Sequence, residues 1–417
     1  MAESEAGSVR AEVRAWLVAH WDEDQPLLAW RERLADSGWG CPTWPLAWFG
    51  RGLDRALATI VDEEFARAGA VGTATGAAMT LAAPTILEHG PDDLRARLLR
   101  PIVTGQDRWC QLFSEPGNGS DLAGLATRAE RDGDEWVVNG QKVWTTGAAK
   151  AAYGMLLART DWDVPKHRGI TYFALPMNQP GVEVRPLRQM NGYASFNEVF
   201  LSDARVPHAN IVGAVGEGWR GAITTLAHER GLPTANMFGA PEAVGAGGRT
   251  RQEAAAEAAD YFSTYVWYPQ RAGRADLVVS QARGRTDPVL RQHVAEVAAL
   301  DRAARWTATR NRQGRVDGRP PGAEGSMGKL LGSEIARMSA RVHAELAGAG
   351  AMLTGPDSPL GGTIAEILVS VPGQSIAGGT DQIQRNIIGE RGLGLPKEPR
   401  VDVDVPFREV RTNVRRD

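Results

Sequence analysis

Residues 110–121 read C-Q-L-F-S-E-P-G-N-G-S-D. Gln111 to Ser114 has the character of a short strand end, and Pro116-Gly117-Asn118-Gly119 turns it sharply. Ser114 and Ser120 then present hydroxyls beside exposed backbone N–H groups, an arrangement that hydrogen-bonds the edge of a heterocycle or holds a phosphate. An ordinary glycine-rich turn has the same composition, and for this segment alone that plainer reading is the stronger. A second candidate is Glu229. Trp219, Ala222, Ile223 and Leu226 form an apolar face at helical spacing, and Glu229 falls on it three residues after Leu226. A carboxylate so placed is not a solvated surface group. Burial suits Glu to proton abstraction by raising its pKa toward neutrality, although a buried ion pair is the commoner fate. A third stretch, I-A-G-G-T-D-Q-I-Q-R at 376–385, opens a helix. The chain holds thirteen Trp, a count that core packing explains as readily as stacking on a flat ligand.

Composition narrows the field. The chain has 417 residues, enough for two or three packed units. Formal net charge is −3, which gives no electrostatic reason to expect nucleic acid or an anionic membrane as partner. No apolar run is long enough to span a bilayer. The opening M-A-E-S-E-A-G-S-V-R is acidic and polar, unlike a signal peptide. Cys41 and Cys110 make neither a disulfide framework nor a metal spacing, so no metal is expected and a cytoplasmic location is.

The elements that must position these residues change character twice. From about 8 to 107 the period is helical: Val9, Val13 and Leu17 recur at helical spacing, and Leu81, Ile86, Leu94 and Leu98 continue it. The turn-rich loop G-W-G-C-P-T-W-P at 38–45 interrupts it. From about 108 to 212 strands take over. Trp136 to Val138 and Gln141 to Trp144 flank Asn139-Gly140, which predicts a two-residue hairpin, and a Trp144 that packs on its own sheet. Ile170 to Leu175 and Glu198 to Leu201 read as further strands. From about 215 long helices return. Thr286-Asp287-Pro288 is a cap followed by proline at the first helical position. Met327, Leu331, Ile335, Met338, Val342 and Leu346 form one apolar stripe, and 363–371 predicts a buried helix ending at Pro372. A last helix runs from Thr380-Asp381 to Arg391, with Gly392 as its cap. A flat cofactor would lie between the strand unit and the last helical unit, since ligand sites favour such junctions.

Several motifs occur in a shared order: the stretch at 110–121, N-G-Q-K-V-W-T-T-G-A at 139–148, and G-G-T-D-Q-I-Q-R-N-I-I-G-E-R-G-L-G-L-P at 378–396. With A-P-T-I-L-E-H-G at 83–90, R-G-I-T-Y-F at 168–173, N-E-V-F-L at 197–201 and V-G-E-G-W at 215–219, they resemble the acyl-CoA dehydrogenase family nearly end to end. The resemblance implies an α+β, mostly α, chain: an N-terminal helical domain (1–107), a central β-barrel-like domain (108–213) and a C-terminal four-helix-bundle domain (214–417). It implies bound FAD and the dehydrogenation of an acyl-CoA to a trans-2-enoyl-CoA, with an electron-transfer flavoprotein as electron acceptor. Gln111, Leu112, Phe113 and Ser114 would meet the pyrimidine edge of the flavin, with the Ser114 hydroxyl near N5. Trp144 would pack beside the ring and Thr145 and Thr146 would bond its edge. Gly379, Thr380, Asp381 and Gln382 would suit the FAD pyrophosphate. Ser120 would touch the pantetheine of CoA, and Arg230 another part of CoA.

The base does not stand where one large branch of the family has it. That branch places a glutamate just before the Gly-Thr of the last motif, where this chain has Gly378, whose backbone N–H is left to bind the substrate carbonyl. The isovaleryl- and long-chain-type enzymes place it just before an arginine on the first long helix of the C-terminal domain. T-T-L-A-H-E-R-G at 224–231 fits that pattern, which makes Glu229 the base. Three departures stand beside this. Pro233 ends or kinks the base helix. The R-x-x-F-G segment of the family is replaced by G-R-T-D-P-V-L-R-Q at 284–292, and its Gln-x-x-Gly-Gly pattern by A-E-L-A-G-A-G at 344–350. Both losses fall on the half of the FAD site that a neighbouring subunit completes. Either substitutes hold the cofactor, or this chain forms a dimer or tetramer with a different subunit. A half-site or non-catalytic subunit, and a flavin monooxygenase on the same fold, are the alternatives; the retained Glu229 argues against both.

Overall fold

The computed structural model describes residues 2–231, 247–319, 322–397, 399 and 402–410. Five helices open the chain: α1 (Ala2–His20), α2 (Leu27–Ser37), α3 (Arg55–Ala68), α4 (Ala83–His89) and α5 (Asp92–Thr104). Val9, Val13 and Leu17 lie buried on one face of α1 against Trp30, Leu34 and Val61, as their spacing predicts. Glu64 of α3 gathers Arg10, Arg14 and Arg67, which ties α1 to α3 electrostatically as well.

Seven strands follow: β1 (Trp109–Leu112), β2 (Arg128–Asp132), β3 (Glu135–Thr146), β4 (Tyr153–Arg159), β5 (Ile170–Pro176), β6 (Val182–Leu187) and β7 (Phe196–Pro207). They form one sheet in the order β1-β4-β2-β3-β7-β6, with β5 paired to β4. β1 runs parallel to β4 and is the terminal strand on its side. The Asn139-Gly140 hairpin is not there. β3 passes straight through both residues, and the strand reversal comes earlier, between Asp132 and Glu135 at Gly133. At 139–140 the pairing with β7 shifts register instead. The Asn139 amide donates to Asp203 at 3.0 Å and accepts the Asp203 N–H at 2.9 Å, so the cross-strand neighbour captures the residue that would otherwise start a turn. Gly140 is required there because a Cβ would sit 2.5 Å from Thr127 Oγ1.

The remaining helices are α6 (Gly218–Gly231), α7 (Arg249–Ser263), α8 (Tyr268–Arg271), α9 (Ala275–Gln281), α10 (Pro288–Val316), α11 (Glu324–Ala347), α12 (Thr363–Ser370) and α13 (Asp381–Ile387). Asp287 caps α10 by accepting the Leu290 N–H, with Pro288 at the first helical position, as expected. In the α11 stripe, Ile335, Val342 and Leu346 are buried, whereas Met327 is largely open. The helix at 363–371 is buried on one face only: Ile364 and Ile367 are inside and Val369 is exposed. The last helix is regular to Ile387, then widens into a π-turn over 388–392 that Leu393, not Gly392, closes.

One core joins the three parts. Leu81 and Ile86 near α4, Leu98 of α5, Trp109 of β1, Met155 of β4, Tyr172 of β5 and Ala222 of α6 share a single buried cluster. Hydroxyls fix α6 on it: Thr225 meets Thr85 at 2.8 Å and the Tyr172 phenol at 3.2 Å. At the far end, residues 402–410 return to the sheet, where Phe407 is fully buried. No described helix is long and apolar enough to cross a membrane.

Candidate active site

β1 delivers the first group. As the terminal strand it pairs only with β4 among the described residues, so its outer edge keeps ladder groups without a strand partner. β3 approaches the stretch from Gln111 to Ser114: Val143 N–H donates to the Ser114 carbonyl at 2.9 Å, the Thr145 hydroxyl to the Gln111 carbonyl at 3.3 Å and the Lys142 ammonium to the Phe113 carbonyl at 3.2 Å. Leu112 and Phe113 are buried, and Ser114 is half-buried. The Gln111 side chain points to α6, where its amide donates to Glu229 Oε2 at 3.4 Å. Strand and candidate base are therefore in contact, although 118 residues separate them in sequence. Glu229 is half-buried, and one turn earlier Thr225 anchors its helix to Thr85 and Tyr172. Within the predicted apolar face Ala222 is buried, but Ile223 is exposed: the face turns toward Trp219, Ala222 and Leu226.

A buried ion pair shapes the turn after β1. Lys142 reaches Glu115 at 2.8 Å and the Phe113 carbonyl at 3.2 Å, and Glu115 also accepts the N–H groups of Ala126 (2.7 Å) and Thr127 (2.9 Å). Burial alone would raise the Glu115 pKa, but Lys142 and these hydrogen bonds outweigh it and hold it below the usual range. Ser120 is exposed at the far end of this turn.

Trp144 touches its own sheet at Phe196 of β7 but is not buried against it. It occupies the register shift between Lys142 and Thr145 at φ 62°, a left-handed conformation that a bulky residue rarely adopts. Its indole is 56% exposed and stands edge-on to Phe196, with ring centroids 5.7 Å apart. Thr145 is buried beside it, and the Thr146 hydroxyl is reached by Tyr265.

The segment 376–385 is held from behind. Gly378 and Gly379 both take positive φ, 67° and 84°. The fully buried Gln384 amide donates to both of their carbonyls, at 2.9 and 3.2 Å. Thr380 caps α13 by accepting the Ile383 N–H. The Asp381 carboxylate is buried and bound to Lys329 at 2.9 Å and Arg337 at 2.5 Å, so it anchors α13 to α11, and Gln382 is exposed. α11 packs against both α6 and α13. The Arg230 side chain and Pro233 lie outside the described residues.

One group escaped the sequence reading. Tyr261, Tyr265 and Tyr268 pack on one another from α7 to α8, the first pair tilted and the second edge-on. Burial raises the Tyr268 pKa; Arg271 pulls it back, while Tyr261 and the Glu229 charge push it up. Arg271 lies 4.7 Å over the Tyr268 ring and donates to Gln374 at 2.9 Å, linking this aromatic wall to the segment before Gly378. The steps of four and three between these tyrosines are a helical signature that was open to sequence inspection.

A flat cofactor fits these residues. An exposed indole, an open strand edge and a left-handed glycine with nothing within 4 Å of its Cβ position supply an apolar face, backbone donors and acceptors, and room. Three family descriptions match the chain: the acyl-CoA dehydrogenase N-terminal domain over 3–106, the middle domain over 110–204 and the C-terminal domain over 275–393. The chain belongs to the acyl-CoA dehydrogenase family, whose members are FAD-dependent oxidoreductases. It is 38% identical to acyl-CoA dehydrogenase FadE34 of Mycobacterium tuberculosis over 94% of its length, but spans only 50% of that protein. It is 36% identical to acyl-CoA dehydrogenase IpdE1 of the same organism, covering 89% of this chain and 88% of the relative. Two solved structures share the fold. The Tcur3481–Tcur3483 steroid ACAD is 25% identical with a TM-score of 0.64, covering 95% of this chain and 98% of its own. The ChsE4–ChsE5 complex from Mycobacterium tuberculosis is 28% identical with a TM-score of 0.62, covering 94% and 98%.

Proposed function

We propose that this chain catalyses the α,β-dehydrogenation of an acyl-CoA thioester to the trans-2-enoyl-CoA, with Glu229 as the base that removes the α-proton. The reading rests above all on the contact between Gln111 and Glu229, which sets a half-buried carboxylate against the strand whose open edge suits a flavin. The Glu229 carboxylate takes the proton from the carbon beside the thioester carbonyl. Negative charge then grows on the carbonyl oxygen, where the Gly378 N–H donates a hydrogen bond; the left-handed turn, and the Gln384 amide on the carbonyl of the next peptide unit, fix the local backbone. The Gln111 amide orients the carboxylate, and Trp144 covers the reacting region with apolar surface that excludes water. Gln111 to Ser114, Thr145, Thr146 and Gly379 to Gln382 would hold FAD, which when bound supplies the acceptor for the β-hydride. Ser120 and Arg230 would meet CoA.

The same reading includes the division at 107/108 and 213/214, an electron-transfer flavoprotein as acceptor and a cytoplasmic location. A bulky, ring-bearing acyl group is the substrate class it favours: a structural neighbour is a steroid ACAD, and Gly378 leaves open the space that a side chain would fill. The test is Glu229→Gln. The variant should retain FAD yet leave it oxidised under anaerobic acyl-CoA, and normal bleaching would sink the assignment.

A second reading has support of its own. The replaced motifs at 284–292 and 344–350, with a neighbour solved as a complex of two differently named chains, favour a heteromer whose other subunit completes the FAD site. Expressed alone, the chain should then bind FAD far below one equivalent. A stoichiometrically yellow protein that reduces an artificial acceptor would exclude it.

A further inference from the structure

The segment 402–410 runs back over the loop between β4 and β5. Phe407 N–H donates to the Val164 carbonyl at 2.9 Å, Arg408 N–H to the Trp162 carbonyl at 3.0 Å, and Pro406 forms a β-bridge with Pro165. The Phe407 ring, fully buried, lies 3.3 Å over the Arg159 guanidinium and 5.3 Å from Trp162.

What lies beneath matters more than the strap itself. Arg159 is also fully buried, and it donates to the carbonyls of Ala123 (2.7 Å), Leu125 (3.1 Å) and Lys166 (3.1 Å). Two of those carbonyls belong to the stretch that leaves the Pro116–Asp121 turn. Lys166 makes the second link: its ammonium meets Asp402 of the strap at 2.5 Å and Asp121 of the turn at 3.0 Å. Burial works against its charge, but the two carboxylates outweigh burial and raise its pKa, so the bridge is ionic throughout the neutral range. The strap is thus coupled to the turn that carries Ser120 through one buried guanidinium and one buried ammonium. A charge buried under an aromatic face is held tightly because it has no water to exchange with.

We propose that the 402–410 strap, acting through Arg159 and Lys166, is a positioning device for the Pro116–Asp121 turn and sets the affinity for the CoA portion of the substrate. This rests on the reading of Ser120 as a CoA contact. Phe407→Ala removes the cover of Arg159, Lys166→Met removes the bridge, and Asp163→Asn alters only the outer contact with Arg408. Binding of free CoA to the FAD-loaded protein is measured by calorimetry, with hydrogen exchange of 116–125 and steady-state KM and kcat alongside. Phe407→Ala and Lys166→Met should each weaken CoA binding and raise KM about five- to tenfold, with kcat and FAD content retained and exchange accelerated; Asp163→Asn should match wild type. Ser120→Tyr is run in parallel. If it weakens CoA binding while Phe407→Ala and Lys166→Met do not, the strap proposal is overturned and the Ser120 reading stands. If none of the three changes CoA binding, the turn is not a CoA contact and the proposal falls with it. Should Phe407→Ala fail to fold, Lys166→Met decides alone.

Discussion

Replacing Lys142 with Met tests the buried pair beneath the candidate site. The side chain is fully buried and bonds both Glu115 and the Phe113 carbonyl. Removing one partner of a buried ion pair costs about 3–5 kcal/mol, because the other charge stays inside without compensation. Glu115 keeps the Ala126 and Thr127 N–H donors, which places that loss near its lower limit, while the stranded Phe113 carbonyl adds about 1 kcal/mol. With an unfolding entropy of about 2.1 cal/mol/K per residue over 417 residues, a loss of about 3–5 kcal/mol lowers Tm by about 3–6 °C. The pH dependence carries a sign. In the wild type the folded Glu115 pKa lies below its ordinary 4.5, so its contribution is complete above that value and lost as pH falls through the folded pKa. In Lys142→Met burial acts on Glu115 without the opposing lysine, so the folded pKa rises, and the defect is greatest near neutrality and shrinks on acidification as Glu115 takes up a proton. Calorimetry of both proteins from about pH 8 to about pH 5 should show the Tm gap closing. The double variant Lys142→Met with Glu115→Gln should recover much of the loss at neutral pH. A gap under about 1 °C at neutral pH, or one independent of pH, would refute the reasoning.

Other outcomes follow from the same geometry. Trp144→Gly should leave the apoprotein at least as stable, since it removes an exposed indole and a left-handed strain of about 1 kcal/mol, yet lower FAD affinity at least tenfold by flavin-fluorescence titration. Gly379→Ala should lose bound FAD, because the new Cβ would sit 2.5 Å from the Gln384 amide. Gly378→Ala meets no neighbour within 4 Å and should keep FAD, at a cost of about 1–2 kcal/mol from the backbone alone; the 450 nm to 280 nm absorbance ratio separates the two. Hydrogen bonding to Arg14 and Arg10, working against burial, holds the Glu64 pKa at about 2, so its stabilisation is complete above 4.5 and lost as pH falls from there toward 2. In urea melts, Glu64→Gln should therefore differ from wild type most at neutral pH and converge with it in acid.

Local patterns in the chain spelled out much of this architecture. Helical spacing located α1 and α11, and Asp287-Pro288 marked the start of α10, because caps and stripes are local properties. The apolar face of α6 foretold a carboxylate that is not fully solvated. Long-range pairing was not legible. Asn139-Gly140 has the composition of a hairpin turn, and only the partner Asp203, 64 residues on, shows why the strand continues. The contact of Gln111 with Glu229, the dual role of Lys166 and the anchoring of Asp381 by α11 are likewise tertiary facts, set by which helix and strand the core brings together. The tyrosines of α7 and α8 were legible by spacing but carried no motif to mark them as part of a site.

The backbone at position 378 has a further consequence for how this scaffold can change. With φ at 67°, any L-residue there would be strained by about 1–2 kcal/mol, whatever its chemistry. Under the proposed role of Glu229, a glutamate at that position would add a second carboxylate to the one on α6, and two carboxylates sharing a site hinder each other's ionisation. If Glu229 is the base, moving the carboxylate to position 378 would therefore carry that backbone strain. Under the proposed role of Glu229, the turn at 378 thus favours a backbone donor over a side-chain base, a preference recorded in a single dihedral angle.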